Sequence, residues 1–395
     1  MKTHDICIIG GTYIENCNYP YWFELYGSGL RAAKALSTHI EIIKFVSCIG
    51  KDYIKNARSI CNTFKINSCF TEITETISFS YEYPLCKPYI LPLESEINIV
   101  RLSKIKEDAI LYYGMLEAEI NIEANYCVYD PQNIKSFNQY NSGVKHLAVI
   151  MNYNEACTLY QGNNSKDISK IGFHLLESER AEVIVIKNGV KGAYVFEKNK
   201  SYHIPVYKTS SVWPIGSGDI FTAAFALKWM IEKKTARYSA LFASQTTAIY
   251  CQNIVLPITA STNNLVPSKI SKSKNKIYIA GPFFNISDRW LINEVRNLLI
   301  NFGNTVFSPL HDVQFTDLTE IAKTDLQALK DSDVILGILS GQDPGTIFEI
   351  GFARGLGKKV VILSENIEEK DLMMFRGAGC EITNDLSTAI YKASW

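Results

Sequence analysis

The sequence predicts an α/β protein built from two domains. Three observations carry that reading. The chain has 395 residues, more than one ordinary domain holds. Short apolar strands alternate with helical segments in its first two thirds and again in its last third. Between these regions, Ser261 to Lys276 is polar, rich in Asn, Ser and Lys, interrupted by Pro267 and without periodicity. The first domain is accordingly placed at 1–262, a linker at 263–275 and the second domain at 276–395.

Composition narrows the class. Apolar residues make up 47% and charged residues 20%, which suits packed cores rather than disorder. The formal net charge is zero, so no general basic surface for nucleic acid is expected. The N-terminus shows no charged segment followed by an apolar signal core, and no apolar run approaches a membrane span, so no membrane partner is expected. Ten cysteines are scattered without a Cys-x-x-Cys pair. They read as reduced core residues of a cytoplasmic protein.

In chain order, Asp5 to Gly10 is a short strand. Tyr26 to Leu36 is a glycine turn entering an alanine-rich helix, and Ile42 to Ile49 is a second strand. Ser78 to Ile99, rich in Tyr, Ile and Pro, suggests hairpin or lid strands. Ala124 to Asp130 and Leu147 to Met151 continue the alternation. Val183 to Val195 reads as strand, glycine turn, strand, and a helical pattern runs from Gly216 to Trp229. After the linker come a strand at Lys276 to Ala280, a helix at Arg289 to Phe302 and a strand at Thr305 to Phe307. A helix at Ile321 to Lys330, a strand at Val334 to Leu339, a helix at Glu349 to Gly357 and a strand at Lys359 to Leu363 follow. This last stretch implies a small parallel sheet covered on both faces.

Two constellations carry chemistry. The first is Gly216-Ser217-Gly218-Asp219 at a helix start. Small residues there let backbone amides approach a phosphate, and the helix dipole adds positive potential. Asp219 is then either the base for a substrate hydroxyl or a plain helix-start residue.

Around that motif the chain resembles the PfkB-type, ribokinase-like sugar and nucleoside kinases over residues 3 to 258. The matches are Gly216 to Phe221, Asn152-Tyr153-Asn154-Glu155, Gly189 with Gly192, and Asp130-Pro131. The resemblance implies a three-layer α/β/α domain with a small β lid, using ATP and Mg2+. It makes Asp219 the catalytic base and Gly216, Ser217 and Gly218 the anion hole. Asn152 and Glu155 would manage phosphate and magnesium, with Glu155 the metal residue, and Lys187, Gly189 and Gly192 would serve the nucleotide. On the acceptor side stand Glu15, Gly27, Gly29 and Arg31. Four positions depart from the family pattern. Trp213-Pro214 replaces the usual Asp-Thr, Glu15 replaces an Asp, and Arg31 replaces an Asn.

The second constellation gathers Tyr278, Asp325, Asp343 and Glu349 in the last third. In Asp343 to Ala353, Pro344 and Gly345 read as a turn and Thr346 as the helix N-cap. Glu349, three residues later, is either a capping-box partner or an ionised nucleophile above the sheet edge. Neighbouring carboxyls of this kind suit glycosyl chemistry, one attacking an anomeric carbon and another protonating the leaving group.

These residues resemble the nucleoside 2-deoxyribosyltransferase family over about 276 to 390. The matches are Ile277 to Phe284, Phe307 to Leu310, Asp325-Leu326, Asp331 to Val334, and Asp343 to Ala353 with Gly357-Lys358. The resemblance implies a flavodoxin-like, Rossmann-type sheet. It makes Glu349 the nucleophile at C1′, Asp325 a proton donor to the base, Asp343 the holder of the sugar's 5′ end, and Tyr278 the residue that positions Glu349. Gly281, Pro282, Phe283, Gly345, Thr346, Asp371 and Met373 would line the substrate site. Family sites are completed by a neighbouring subunit through an Asn-Leu-Met segment. Here that segment reads Asp371-Leu372-Met373, so a homo-oligomer of at least two copies is expected. Two acids, Asp343 and Asp371, disfavour a phosphate dianion and favour a nucleoside with a free 5′-hydroxyl, although Arg376-Gly377-Ala378 is similar to the monophosphate-cleaving branch.

The resemblances together imply a bifunctional enzyme of nucleoside metabolism. One domain cleaves or exchanges an N-glycosidic bond, and the other phosphorylates a sugar or nucleoside. The alternative makes the first domain a nucleotide-sensing regulatory module and the second a nucleotide or dinucleotide N-glycosidase acting in stress or defence.

Overall fold

The computed structural model describes residues 5–140, 142–160, 167–259, 265–268, 275–313 and 317–395. It divides into two compact units, Met1–Pro267 and Ser268–Trp395. Most of the expected linker lies outside the described residues. Its short piece Val266–Pro267 pairs antiparallel with Tyr207–Lys208 and so belongs to the first unit.

The first unit is organised on a nine-stranded sheet. From one edge its order is Lys200–Ile204, Ala193–Glu197, Val183–Lys187, Gly143–Asn152, Ile122–Asp130, Ile105–Tyr113, Asp5–Ile9, Ile42–Gly50 and Asn67–Ile73. The seven strands from Val183–Lys187 onward run parallel, and the hairpin at the other edge is antiparallel. Asp5–Ile9 shows why the strands read as unbroken apolar runs. Ile6 and Ile8 enter the core on one face, Cys7 and Ile9 the core on the other. Helices Gly27–Leu36, Ser217–Ala226 and Ala236–Asn253 contribute to the first core, and Ile168–Ser178 to the second. This is the expected three-layer arrangement.

A separate four-stranded sheet forms the lid, in the order Trp22–Leu25, Ile14–Cys17, Ser78–Tyr81, Tyr89–Leu91. Its second half lies within the segment the sequence marks as lid strands. Its first half, residues 14 to 25, carries no comparable periodic signal. The lid meets the main unit through glycines. Gly29 is the third residue of the helix Gly27–Leu36, and a Cβ there would lie 2.6 Å from the Gly10 carbonyl carbon. Only glycine lets the helix approach the end of the first strand this closely.

The second unit has five parallel strands in the order Thr305–Phe307, Lys276–Ala280, Val334–Ile338, Lys359–Leu363, Glu381–Thr383. Numbered along the chain this is 2-1-3-4-5, the flavodoxin-like order. Burial of Ile277, Ile279, Ile335, Leu336, Val361 and Ile362 anchors it, each contributing roughly 1.5–3 kcal/mol relative to exposure. The final strand, Glu381–Thr383, and the helix Leu386–Ser394 behind it complete a layer the sequence reading leaves unassigned.

Candidate active sites

In the second unit the strand order reverses direction between Lys276–Ala280 and Val334–Ile338. In open α/β sheets such a switch point is where ligands bind, outside the C-terminal ends of the strands. Tyr278 lies on the first of these strands, and the chain after the second leads to Glu349.

The helix carrying Glu349 spans Pro344–Gly355 and begins earlier than the sequence suggests. Its N-cap is Asp343, not Thr346. The Asp343 carboxylate accepts the Thr346 backbone N–H at 2.7 Å and the Thr346 hydroxyl at 2.8 Å. Aspartate is a strong N-cap, and Pro344 fits the first helical position because the amide it lacks has no helical partner there. Asp343 thus does what was expected of Thr346, and Thr346 is 2% exposed behind it. A Cβ on Gly345 would sit 3.1 Å from the same carboxylate oxygen.

With the cap supplied elsewhere, the capping-box role of Glu349 disappears. Its Oε1 instead accepts a hydrogen bond from the Tyr278 hydroxyl at 2.5 Å. Tyr278 is fully buried, and its ring stacks on Phe307 with centroids 5.5 Å apart and planes at 17°. Burial pushes the Glu349 carboxyl up to about 7; the Tyr278 bond works against that rise, and Asp325 and Asp343 add to it. Burial likewise raises Asp325 to about 6, and its buried Oδ1 has no hydrogen-bond partner. The same burial, with Glu349 next, holds the Tyr278 hydroxyl well above the ordinary phenol range. Such a group offers one oxygen to the phenol and can present the other to an electrophile. Asp325 adds a carboxyl that holds a proton nearer to neutrality than usual.

The remaining expected residues fall in three places. Gly281, Pro282 and Phe283 follow the Tyr278 strand, with Pro282 buried and Phe283 packed on Phe284. A Cβ on Gly281 would lie 3.0 Å from the Ile338 Cβ, so this loop closes against the neighbouring strand. Asp371 is exposed and accepts a bond from Gln342 at 3.3 Å, and Met373 is 67% exposed. Arg376 is engaged by Glu369 through two bonds of 3.1 and 2.7 Å. Asp333 sits at the opposite end of the sheet, where its carboxylate accepts the Lys276 N–H at 2.8 Å.

In the first unit, Gly216 has φ +76° and caps the helix Ser217–Ala226. A residue with a side chain would be strained there. A Cβ on Gly218 would lie 3.3 Å from Lys187 Nζ, so the ammonium stands beside the anion-hole glycines. Lys187 donates to Asp130 at 3.0 Å, and Thr222 donates to the same carboxylate oxygen at 2.7 Å. Burial works against the Lys187 charge, but Asp130 and Glu155 raise its pKa overall. Asn152 and Glu155 form a reciprocal box. The Asn152 N–H donates to Glu155 at 2.7 Å, and the Glu155 N–H donates to Asn152 Oδ1 at 2.9 Å. Burial, then Asp130, moves Glu155 up to about 7. Gly189 and Gly192 both have positive φ in the turn after the Lys187 strand.

The acceptor side is closed on itself. Arg31, 1% exposed, donates through Nη2 to Glu15 and through Nη1 to Asp219 at 2.6 Å. Gln132 takes the other Asp219 oxygen at 2.7 Å. Glu15 also accepts the Gly27 N–H at 3.1 Å. The structure therefore bonds Glu15, Gly27, Arg31 and Asp219 to one another. Sequence reasoning missed Gln132, which sits two residues after Asp130 with no motif to mark it. It also missed Thr222, one helical turn after Gly218.

Two family models match the chain. Residues 115–256 match the pfkB family carbohydrate kinase, and residues 277–384 match the nucleoside 2-deoxyribosyltransferase. Among solved structures, a fructokinase from Vibrio cholerae is 11% identical, covering 64% of this chain and 94% of that one with a TM-score of 0.47. A ribokinase from Giardia lamblia is 14% identical, with coverages of 64% and 94% and a TM-score of 0.46. A ribokinase from Thermotoga maritima is 18% identical, with coverages of 63% and 93% and a TM-score of 0.43. No curated protein matches the chain.

Proposed function

We propose, for a chain that joins a pfkB-type domain to a nucleoside 2-deoxyribosyltransferase-type domain, that the second domain cleaves or exchanges the N-glycosidic bond of a nucleoside. The observation that carries this reading is the 2.5 Å bond from Tyr278 to Glu349 at the switch point between the first and third strands. Ionised Glu349 attacks C1′ and forms a glycosyl ester as the C1′–N bond breaks. The electron pair of that bond leaves with the base, which takes a proton from Asp325. Water or a second base then attacks C1′ and frees Glu349. Tyr278 holds Glu349 in register for both attacks, and Asp343 faces the 5′ end of the sugar. Asp371 and Met373, exposed within one chain, belong to the surface that a second copy would meet.

The first domain, in this reading, transfers the γ-phosphate of ATP to a hydroxyl of a sugar or nucleoside, with Asp219 as base and residues 216–218 receiving the phosphate. The glycine cradle beside Lys187 fits a phosphate chain. Among the described residues no cluster of three or more His, Cys, Asp or Glu could hold a metal. Glu155 would therefore hold Mg2+ together with the nucleotide's own phosphates, a mode that suits this ion. Magnesium would neutralise charge on those phosphates.

Product analysis of the full chain tests both halves. Nucleosides, nucleotides and dinucleotides are incubated with and without ATP, and free bases and phosphorylated sugars are identified. Base release from a nucleoside, lost in Glu349→Ala, is the expected result. Release that persists in that variant overturns the nucleophile assignment.

A second reading has its own support. The bonds from Arg31 and Gln132 occupy both oxygens of Asp219. They favour a first domain that senses a nucleotide while the second acts as an N-glycosidase on a nucleotide or dinucleotide pool. Absence of phosphoryl transfer in both wild type and Asp219→Asn, with base release that responds to ATP, selects this reading.

A further inference from the structure

Among the described residues of the first unit, Arg31 carries a buried donor that the fold leaves unused. Arg31 Nε is buried and has no hydrogen-bond acceptor. Its other nitrogens are committed to Glu15 and Asp219. The orphan donor lies over the start of the ten-residue helix Ser217–Ala226, because a Cβ on Gly216 would fall 2.2 Å from Arg31 Nε and 2.3 Å from Cζ. At the same helix end, a Cβ on Gly218 would lie 3.3 Å from Lys187 Nζ. Two cationic side chains therefore stand at a helix N-terminus whose dipole already favours an anion. A buried donor left without a partner is costly, and an anionic oxygen is the acceptor that satisfies a guanidinium best.

Arg31 also stands where an acceptor molecule would meet the base. A hydroxyl gives up its proton only if an Asp219 oxygen can reach it. Arg31 and Gln132 hold both oxygens, at 2.6 and 2.7 Å. Glu15, 6% exposed, fixes Arg31 from its far side.

We propose that Arg31 makes this a site that holds a phosphate group instead of transferring it. The ligand is the terminal phosphate of a nucleotide or other phosphate ester. It is bound by Arg31 Nε, Lys187 Nζ and the first-turn amides of the helix, while Asp219 stays engaged with Arg31 and Gln132. This rests on the sensing reading of the first domain and names the group that is sensed.

Calorimetric titration of the full chain with inorganic phosphate, pyrophosphate and ATP tests it, with phosphorylated products followed in the same samples after adding pentoses and nucleosides. Wild type is expected to bind at least one of the three anions and to form no phosphorylated acceptor. Arg31→Gln should weaken that binding at least tenfold. Arg31→Lys keeps a cation facing Glu15 and Asp219 but has no Nε donor, and should also weaken that binding, which keeps the test decisive if Arg31→Gln melts early. Equal affinity in wild type and Arg31→Gln overturns the role of Arg31 and leaves the sensing reading standing. Phosphorylation of an acceptor by wild type, abolished in Asp219→Asn, overturns both, as does a wild type that binds none of the three anions.

Discussion

Tyr278 reaches from the centre of a parallel sheet to donate its hydroxyl to Glu349 across 2.5 Å, with Phe307 stacked on its ring. The donor cannot swing away, because the ring is fully buried. Tyr278→Phe removes the hydroxyl and leaves the stacking. A hydrogen bond to a charged group contributes about 1.5–3 kcal/mol, so kcat for base release should fall roughly tenfold to a hundredfold. Stopped-flow or discontinuous assay of free base checks this, and an unchanged kcat would remove Tyr278 from the machinery.

The titration of the two carboxyls sets a pH profile. In the proposed mechanism Glu349, at about 7, acts ionised and Asp325, at about 6, acts protonated. The fraction holding both states rises with pH up to about 6 and falls above about 7. The profile is therefore bell-shaped, with limbs that belong to the pair and not to either residue alone. Asp325→Asn should lower the rate by roughly a hundredfold or more and leave only the rising limb. The loss should be greatest for bases that leave poorly.

Stability should move the other way. The carboxyl of Glu349 is raised from 4.5 to about 7 in the fold, so its contribution is full below 4.5 and is lost as pH climbs through 7. Glu349→Gln carries no such charge. It should melt higher than wild type at pH 8, by an increment whose ceiling is about 3 kcal/mol, and show little difference at pH 4. Thermal melts at the two pH values check the sign.

Asp130 is the buried hub of the first unit, 1% exposed and bonded by Lys187 and Thr222. Asp130→Ala strands the Lys187 ammonium and should cost about 3–5 kcal/mol, measured by chemical denaturation. Thr222→Ala should cost about 1 kcal/mol.

The fold was legible where strands are buried on both faces. Asp5–Ile9, Val183–Lys187 and Val334–Ile338 announce themselves as apolar runs. The central strand Ile105–Tyr113 does not stand out as an apolar run, because its first half reads Ile-Lys-Glu-Asp and only Ala109 to Tyr113 is buried throughout. The lid strands Ile14–Cys17 and Trp22–Leu25 are too short and half-buried to show a period. In the candidate sites, the sequence singled out Glu349 and Gly218, and the structure sets the Tyr278 hydroxyl on Glu349 and Lys187 beside Gly218. Spacing misplaced the cap, because Thr346 and Asp343 are both good cap residues and only the backbone distinguishes them. The resemblance puts Arg31 on the acceptor side, and only the structure shows its guanidinium paired with two carboxylates distant in sequence, Glu15 and Asp219.

That trio also fixes the order in which the positions can change over generations. Losing Arg31 first leaves Glu15 and Asp219 buried as like charges, with nothing between them. Losing Glu15 or Asp219 first strips Arg31 of one of its two carboxylate partners, and removing one member of a buried ion pair is strongly destabilising. Each single change at one of these three positions therefore crosses a less stable intermediate. The three positions act as a ratchet, so descendants of this sequence should change residues 15, 31 and 219 together or keep all three.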